Sequence, residues 1–153
     1  ALRGIYLDNN RLKNFSTKIL GNQLRQLTLD SNQLEEISLE NVPKLNSLYL
    51  SDNHLKDLPW TQLSSLTDLV ELDLDANSLE NISSELWTLK NLKHLSLKYN
   101  NLSSIPPGIK ALENLSYLDV SHSEMNEDEI LRIESELSER EREDECNPMI
   151  FKY

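Results

Sequence analysis

The sequence predicts an α/β solenoid, in which short strands form a parallel sheet on one face and short helical or irregular segments return along the other. One pattern, L-x-x-L-x-L-x-x-N-x-L, recurs six times at intervals of 21 to 24 residues, and a period of this length is typical of solenoids. Within each copy the L-x-L pair has the two-residue period of a strand, so its leucines share one face. The copies start at Leu2, Leu24, Leu45, Leu69, Leu92 and Leu115.

The L-x-L segments are too short to be stable as isolated strands. Stacked copies are expected to pair as a parallel sheet and to bury a continuous column of leucines. The stability of each copy then depends on its neighbours, and the sequence predicts one core that runs the length of the array.

An asparagine follows the strand in the first five copies. The chain must turn there, and an asparagine tolerates unusual turn dihedrals while its amide both donates and accepts hydrogen bonds. We expect these amides to pair backbone groups of the turns, each of which would cost roughly 1–3 kcal/mol if buried unpaired. The sixth copy carries Ser123, with Val120 and Met125 in place of leucines, as expected of a terminal repeat. The five asparagines are Asn10, Asn32, Asn53, Asn77 and Asn100.

Because these leucine and asparagine positions recur, residues 1–125 resemble a leucine-rich repeat array of six repeats. The resemblance implies a horseshoe whose strands line a concave face and whose irregular or short helical returns line the convex face. It also implies a protein-recognition module without catalytic activity. The leucines and isoleucines at 86, 89, 109 and 112 have the three-residue spacing of short helical turns, whereas the return near Ile37 is extended in pattern.

Residues 126–145 are predicted to form an acidic capping helix, followed by a C-terminal tail over 146–153. Asn126 suits the N-cap, with Glu129 at the third helical position as in a capping box. The alternative, a dimerising coiled coil, would need apolar heptads to continue, yet the next positions are Arg140 and Asp144. We therefore expect the apolar face of the helix to pack as a lid over the sixth repeat. That face consists of Ile130, Ile133 and Leu137.

The charge of the chain is unevenly distributed. The formal net charge is −11, of which residues 1–123 contribute −4 and residues 124–145 contribute −8. An acidic chain is a poor candidate for binding nucleic acid or an anionic membrane, and no apolar run approaches the roughly 20 residues that span a bilayer. Because the chain opens inside a repeat, we expect a cap or further repeats to precede Ala1 in the native protein.

No arrangement of catalytic residues emerges from the sequence. The three glycines form no phosphate-binding loop, and the three histidines fall at different repeat positions without metal-ligand spacing. No Ser-His-acid arrangement or activated cysteine can be argued from spacing. The sequence therefore favours a binding protein that needs neither a cofactor nor a metal.

The candidate binding surface consists of the side chains that point away from the leucines. They form three columns across the sheet, with neighbours about 4.8 Å apart, so six strands span about 24 Å. Tyrosines, which are enriched at binding hot spots, flank three central acids, one of which can be offset by Lys98. We predict a docking surface for a protein with a lysine or arginine at its centre; alternatively, the polar residues only keep an open sheet soluble. The predicted partner-binding residues are Tyr6, Thr28, Tyr49, Glu71, Asp73, Asp75, His94, Lys98, Tyr117 and Asp119.

Two features bear on where the protein works. Cys146, the only cysteine, suits either a free thiol in the cytosol or an intermolecular disulfide in a secreted protein. Four N-x-S/T sequons slightly favour an extracellular glycoprotein. The order of repeats, helix and cysteine resembles that of arthropod-type extracellular immune members of the family. The sequon asparagines are Asn14, Asn81, Asn101 and Asn114.

Three classes of function remain open at this stage. The first is a protein-recognition module, with an extracellular or innate-immune protein slightly ahead of an intracellular regulatory or scaffold subunit of the phosphatase-regulating type. The second is a structural or assembly segment that associates end to end or through a disulfide. The third is a targeting domain attached to an enzyme that lies outside this segment.

Overall fold

The computed structural model describes residues 1–140 and 149–153 of the chain. Six three-residue strands, one from each repeat, lie side by side in a parallel sheet, as predicted, and a seventh strand extends it. The strands of this sheet are β1 (Gly4–Tyr6), β3 (Gln26–Thr28), β5 (Ser47–Tyr49), β6 (Glu71–Asp73), β7 (His94–Ser96), β8 (Tyr117–Asp119) and β9 (Ile150–Lys152). A second parallel sheet pairs β2 (Asn14–Ser16) with β4 (Glu36–Ser38).

Neighbouring strands of the large sheet have the register that the repeat predicts. Each residue of β1, β3, β5, β6 and β7 pairs with its counterpart one repeat later. Hydrogen bonds between successive turns, such as the one from Asn9 N–H to the Asp30 carbonyl at 2.9 Å, continue this alignment beyond the strands. The three predicted columns of outward side chains are therefore present.

The apolar repeat positions form one continuous core. The repeat leucines from Leu24 to Leu102 are fully buried. In the first repeat Ile5 and Leu7 are only partly buried and Leu2 is 52% exposed, because among the described strands none covers β1 on its outer side. Burying a leucine stabilises a fold by roughly 1.5–3 kcal/mol, so the first repeat gains less from packing than the inner ones.

The asparagines of the repeat form a hydrogen-bond ladder inside the stack. Asn77 Nδ2 donates to the carbonyls of Leu50, Leu74 and Asp75 at 2.9, 3.2 and 3.1 Å, and its Oδ1 accepts from the N–H of Leu55 at 3.0 Å. The predicted pairing of turn groups by these amides is thus confirmed. The same arrangement recurs, with the amide buried, at Asn32, Asn53 and Asn100.

One residue per repeat adopts the left-handed backbone conformation directly before the asparagine position. Its φ lies between 49° and 58° in all six repeats, and no glycine occupies the position. Asparagine and aspartate tolerate this region, whereas other residues with a Cβ are strained by roughly 1–2 kcal/mol. The tight turn out of the sheet imposes this strain on four repeats. The six residues are Asn9, Ser31, Asp52, Ala76, Tyr99 and His122.

The convex returns change from extended to helical along the chain. After β2 and β4, the returns contain α1 (Trp60–Ser64) and two 3₁₀ helices, Ser84–Thr88 and Ile109–Ala111. The three-residue spacing at 86–89 and 109–112 therefore marks 3₁₀ turns. Each of these segments buries one face in the common core.

Helix α2 (Glu127–Ser138) closes the described end of the repeat array. The Asn126 side chain accepts from the N–H of Glu129 at 2.9 Å, which is the expected N-cap bond. Ile133 is fully buried and Leu137 nearly so, and the helix packs beside the last 3₁₀ helix as a lid. The helix ends at Ser138, earlier than the predicted boundary at 145, and residues 141–145 lie outside the described ones.

A polar network fastens α2 to the loop before the last 3₁₀ helix. Glu129 Oε1 accepts from the N–H of Ile105 at 3.0 Å, and Glu136 Oε2 accepts from the N–H of Gly108 at 2.9 Å. Arg132 forms ion pairs with both carboxylates and donates to the Ile105 carbonyl at 2.6 Å. Its hydrogen bond lowers the pKa of Glu129. The lid is therefore held by bonds to backbone groups as well as by apolar packing.

The C-terminal residues, which the sequence analysis assigned to a tail, form strand β9. The strand pairs in register with β8, and Phe151 packs, half-buried, against the core where the repeats place a leucine. Ile150 and Lys152 thereby continue the first and second outward columns. The sequence does not reveal this strand because it contains one apolar core residue and none of the repeat pattern.

Candidate partner-binding face

The outward side of the seven-stranded sheet, called the concave face below, carries the predicted partner-binding residues. The first column runs through Glu71, His94 and Tyr117, and the second places Tyr49 beside Asp73. The strands supply these positions because outward side chains alternate with the buried leucines. The face is open along its length and presents several aligned side chains at once.

The central acids Glu71 and Asp73 are held by hydrogen bonds rather than by cations. Glu71 accepts a short hydrogen bond from the Tyr49 hydroxyl. Burial and this carboxylate raise the pKa of Tyr49 to about 12, so the hydroxyl remains a donor at neutral pH. Asp73 Oδ1 accepts from the N–H of Asp75 at 2.9 Å.

Asp73 has the most strongly perturbed carboxyl group on this face among those with a resolved shift. Partial burial, followed by the negative charges of Asp75 and Asp30, raises its pKa to about 6 despite the hydrogen bond from Asp75. A carboxylate in this state favours the approach of a positive charge, which would lower its pKa again. The centre of the concave face is therefore suited to a lysine or arginine from outside the chain.

The aspartates of the third column have a structural role in the stack. Asp8 Oδ1 accepts from the N–H of Asp30 at 2.9 Å, and Asp30 Oδ1 accepts from the N–H of Ser51 at 2.7 Å. Asp75 Oδ1 likewise accepts from the N–H of Lys98 at 2.8 Å. Each carboxylate thus links its own repeat to the backbone of the next.

The prediction of a side-chain ion pair between Asp75 and Lys98 is wrong. Asp75 binds the backbone N–H of Lys98 instead, and the Lys98 ammonium lies over the ring of Tyr99, 4.8 Å from its centroid. The backbone bond satisfies the carboxylate, while the long lysine side chain reaches the neighbouring aromatic face. Lys98 consequently presents its charge at the rim of the concave face.

Thr28 and Asp119, predicted as partner-binding residues, lie mostly beneath their neighbours. Thr28 is 7% exposed and donates to Asp8 Oδ2 at 2.7 Å. Asp119 is 4% exposed and accepts from the Ser121 N–H at 2.9 Å and the Tyr117 hydroxyl at 3.1 Å. For these two residues the contact with a partner stays a prediction, and their low exposure leaves little side-chain surface for it. They position their neighbours and offer little surface of their own.

A stacked aromatic pair occupies the concave face next to the central acids. The rings of His94 and Tyr117 lie parallel, with an interplanar angle of 3° and centroids 4.2 Å apart. The ammonium of Lys152, on β9, lies 5.2 Å from the centroid of the Tyr117 ring. Burial opposes ionisation of Asp119, yet hydrogen bonds from Ser121 and Tyr117 and the charge of Lys152 leave its pKa below the usual value.

A second stacked pair lies at the adjoining rim. Tyr99 and His122 stack with centroids 4.2 Å apart and an angle of 17°, and Lys98 lies over the Tyr99 ring. Both aromatic residues are exposed and both occupy the left-handed turn position. Tyr99, His122 and Lys152 are not among the predicted partner-binding residues. The sequence signal for His122 is that it occupies the same position in the sixth repeat as Tyr99 does in the fifth.

At the opposite end of the face, Tyr6 is the most exposed of the predicted contact residues. Its side chain is 64% exposed, and its hydroxyl donates to Gln26 Oε1 at 3.2 Å. Tyr6 and Tyr49 are separated by Thr28 in the second column. The tyrosines therefore flank the central acids on both sides, as the sequence predicts.

Models of known protein families match part of the chain. A family model described as "Leucine rich repeat" matches residues 67–125, and one described as "Leucine Rich repeats (2 copies)" matches residues 43–86. Together the matches span more than half of the chain. The chain belongs to the leucine-rich repeat family.

Two relatives show how this leucine-rich repeat protein compares in extent. Podocan-like protein 1 of Homo sapiens is 36% identical over 83 residues, which amount to 52% of this chain and 16% of that protein. A solved leucine-rich repeat protein of Leptospira interrogans superposes with a TM-score of 0.85 at 32% identity, covering 92% of this chain and 36% of that one. The chain thus spans a minor part of the length of each relative.

The four sequon asparagines of this leucine-rich repeat protein all lie at the surface. Asn114 Nδ2 donates to the Lys90 carbonyl at 2.7 Å, and Asn101 Nδ2 reaches Glu124 Oε1 at 3.4 Å. Asn81 and Asn101 line an open polar depression of about 280 Å³. Asn14, in β2, lies on the convex sheet. Cys146, the candidate for an intermolecular disulfide, lies outside the described residues.

The described residues hold no arrangement that indicates metal binding or a membrane span. Within 1–140 and 149–153, no group of three or more His, Cys, Asp or Glu side chains is placed to hold a metal ion. No helix in this part of the chain is long and apolar enough to cross a bilayer. The concave face carries hydrogen-bonding, charged and aromatic groups aligned on a repeated framework.

Proposed function

We propose that this protein is a recognition module that binds a partner protein through the concave face. The observation that carries the proposal is the central group formed by Tyr49, Glu71 and Asp73. Its two carboxylates contact hydroxyl or backbone donors and lie among further acids, so the site lacks a compensating cation within its own hydrogen-bonded group. A partner that brings a lysine or arginine here would gain charge-assisted hydrogen bonds.

The flanking aromatic residues support contact with a protein rather than with a small ion. Tyrosine buries a large area at low entropic cost and can also hydrogen-bond, which suits a protein interface. Tyr6 on one side and Tyr117 on the other bracket the central group along the sheet. The distance between their strands, five strand spacings of about 4.8 Å, matches the reach of an extended peptide segment of about seven residues.

A pull-down from native extract or body fluid, read by mass spectrometry, tests the proposal. The altered bait carries Tyr49→Ala, Glu71→Ala and Asp73→Lys. The charge-matched control carries Glu35→Ala and Glu40→Lys, at exposed positions on either side of β4 on the convex face. The expected result is a partner captured by the unaltered and control baits and lost by the altered bait.

Equal capture by all three baits would refute the assignment of the concave face. Because Asp73 is partly buried, the circular dichroism spectrum and melting temperature of the altered bait are compared with those of the control. A second altered bait, with Glu71→Gln and Asp73→Asn, removes the charges without changing side-chain size. It is expected to reduce capture as well.

We further propose an extracellular setting, including an innate-immune role, for the native protein. The support for the extracellular setting is the exposure of Asn14, Asn81, Asn101 and Asn114, since a glycosylation acceptor must be accessible. The innate-immune role rests only on the resemblance in the order of repeats, helix and cysteine. Enzymatic deglycosylation of the native protein is expected to reduce its mass. A mass that deglycosylation leaves unchanged would oppose this setting and leave the proposed binding face unaffected.

A further inference from the structure

The concave face is divided into an acidic part and a basic, aromatic part along the direction of stacking. Apart from Asp8 and the buried Asp119, its carboxylates cluster from Asp30 to Asp75, where burial and then the negative charges of neighbouring aspartates raise the pKa of Asp30 and of Asp73. Two ammonium groups follow in later parts of the sheet, with Lys98, just after β7, over Tyr99 and Lys152, on β9, over Tyr117. The two parts meet between β6 and β7.

Hydrogen bonds and stacking hold the two parts in place. Glu71 and Asp73 are fixed by Tyr49 and by the Asp75 N–H, whereas the lysines rest on rings that are themselves stacked on His94 and His122. A preorganised site loses less conformational entropy on binding than a set of freely rotating charges. The charge separation is therefore a property of the folded surface and not only of composition.

The distance from the acidic centre on β6 to Lys152 on β9 corresponds to a short stretch of extended chain. β6 and β9 are three strand spacings apart, which is about 14 Å. An extended segment advances about 3.3 Å per residue, so the distance equals about four residues. A chain lying across the strands could place opposite charges on the two parts at the same time.

We infer that the partner segment is an extended peptide with separated charges. Its lysine or arginine lies on Glu71 and Asp73, one acidic residue lies against Lys98 beside β7, and another, about four residues from the basic residue, lies against Lys152 on β9. This inference rests on the proposed function and adds a requirement that the binding face alone does not impose. The order of charges sets the direction in which the segment crosses the sheet.

Two synthetic peptides of identical composition test the charge order. One carries its lysines in one half and its glutamates in the other, and the second alternates them. A heteronuclear NMR titration of the labelled full chain is expected to show about tenfold tighter binding of the separated peptide, because two exposed charge contacts contribute roughly threefold each. Shifts should map to β6–β9. Equal affinities, or no binding of the separated peptide, would overturn the inference.

Matched lysine variants locate the anionic contact. Lys98→Gln together with Lys152→Gln is expected to abolish the preference for the separated peptide. Lys18→Gln together with Lys56→Gln makes the same charge change outside the seven-stranded sheet and should preserve it. Preference retained by the first pair would overturn the inference, as would equal loss with both pairs.

The same variants distinguish this inference from the proposed function. A native partner that is lost with Glu71→Gln and Asp73→Asn, but retained fully with Lys98→Gln and Lys152→Gln, would leave the concave face as the binding site and refute the two-charge segment. Loss of the partner with each of the two pairs supports both. Retention with both pairs refutes both.

Discussion

Replacing Asn77 by alanine is expected to lower the free energy of unfolding by about 3–4 kcal/mol. The Asn77 side chain is buried and makes four hydrogen bonds, three as donor and one as acceptor. Alanine removes all of them in the middle of the stack. The magnitude depends on which backbone groups then find another partner.

After the change to alanine, some backbone groups that bind Asn77 keep another hydrogen-bond partner, and the N–H of Leu55 loses its side-chain acceptor. The carbonyl of Leu50 also accepts from Asn53 Nδ2 at 3.1 Å, and that of Leu74 also accepts from Asn100 Nδ2 at 2.9 Å. The buried N–H of Leu55, in contrast, loses the Asn77 oxygen to which it donates. A stranded N–H costs roughly 1–3 kcal/mol, and each weakened carbonyl contact adds a fraction of a typical hydrogen bond of about 1 kcal/mol.

The assay is urea unfolding of the wild type and of matched asparagine variants, analysed by linear extrapolation. Asn10→Ala is the control, because Asn10 is exposed and donates to the carbonyls of Leu7 and Asp8 only. The N–H of Leu12 is bound by Asn32 and is unaffected. The control should cost no more than about 1 kcal/mol.

Asn77→Asp refines the comparison. The aspartate keeps an acceptor for Leu55 but loses the amide donor and brings a negative charge to the carbonyls. It is expected to be at least as destabilising as Asn77→Ala, since an unpaired buried charge is costly. Losses for Asn77→Ala and Asn10→Ala that agree within about 0.5 kcal/mol would refute the reasoning, because this is the limit for changes without a specific mechanism.

Three further predictions concern strain, pH and the lid. Ala76→Gly should raise the free energy of unfolding by about 0.5–1 kcal/mol, because φ at Ala76 is 49°, while Ala111→Gly in a 3₁₀ helix should lower it by a similar amount in the same urea assay. The pKa of Asp73 rises from 3.8 to about 6 on folding, so the native protein binds an extra proton between these values and its stability falls as the pH rises through this window. Asp73→Asn should therefore stabilise the protein at pH 7 relative to wild type. A series of unfolding measurements at different pH should show this gain disappearing below about pH 3.8. Arg132→Ala should cost about 2 kcal/mol and speed amide exchange in α2, whereas Glu139→Gln, at the exposed pair with Lys110, should change stability by less than about 0.5 kcal/mol.

The framework of this fold was predictable because one physical requirement is repeated. Each repeat must bury its leucines on the next, so the register of β1 to β8 follows from periodicity alone. Asn77 and its counterparts were predictable for the same reason, since every turn has the same unpaired groups. The N-cap at Asn126 followed from local chemistry that does not depend on the rest of the chain.

Features that depend on which of several nearby partners a side chain contacts were not predictable. Lys98 had both Asp75 and Tyr99 within reach, and the backbone N–H of Lys98 itself satisfied the carboxylate. Thr28 is 7% exposed and donates to Asp8, a pairing across repeats that spacing along the chain does not show. β9 escaped prediction because Phe151 alone takes the place of a repeat leucine.

The distribution of structural bonds indicates which residues of the concave face remain available for recognition. Asp8, Asp30 and Asp75 bind the backbone of the following repeat, so much of the third column is required by the stack itself. Among the described residues, the side chains of the first and second columns make no such hydrogen bond to the backbone of the next repeat. In these columns Glu71 and Lys152 place opposite charges on the same open surface. Under the proposed function, recognition that distinguishes this array from others of its fold therefore comes from the first and second columns, where the side chains are not already required to hold the turns.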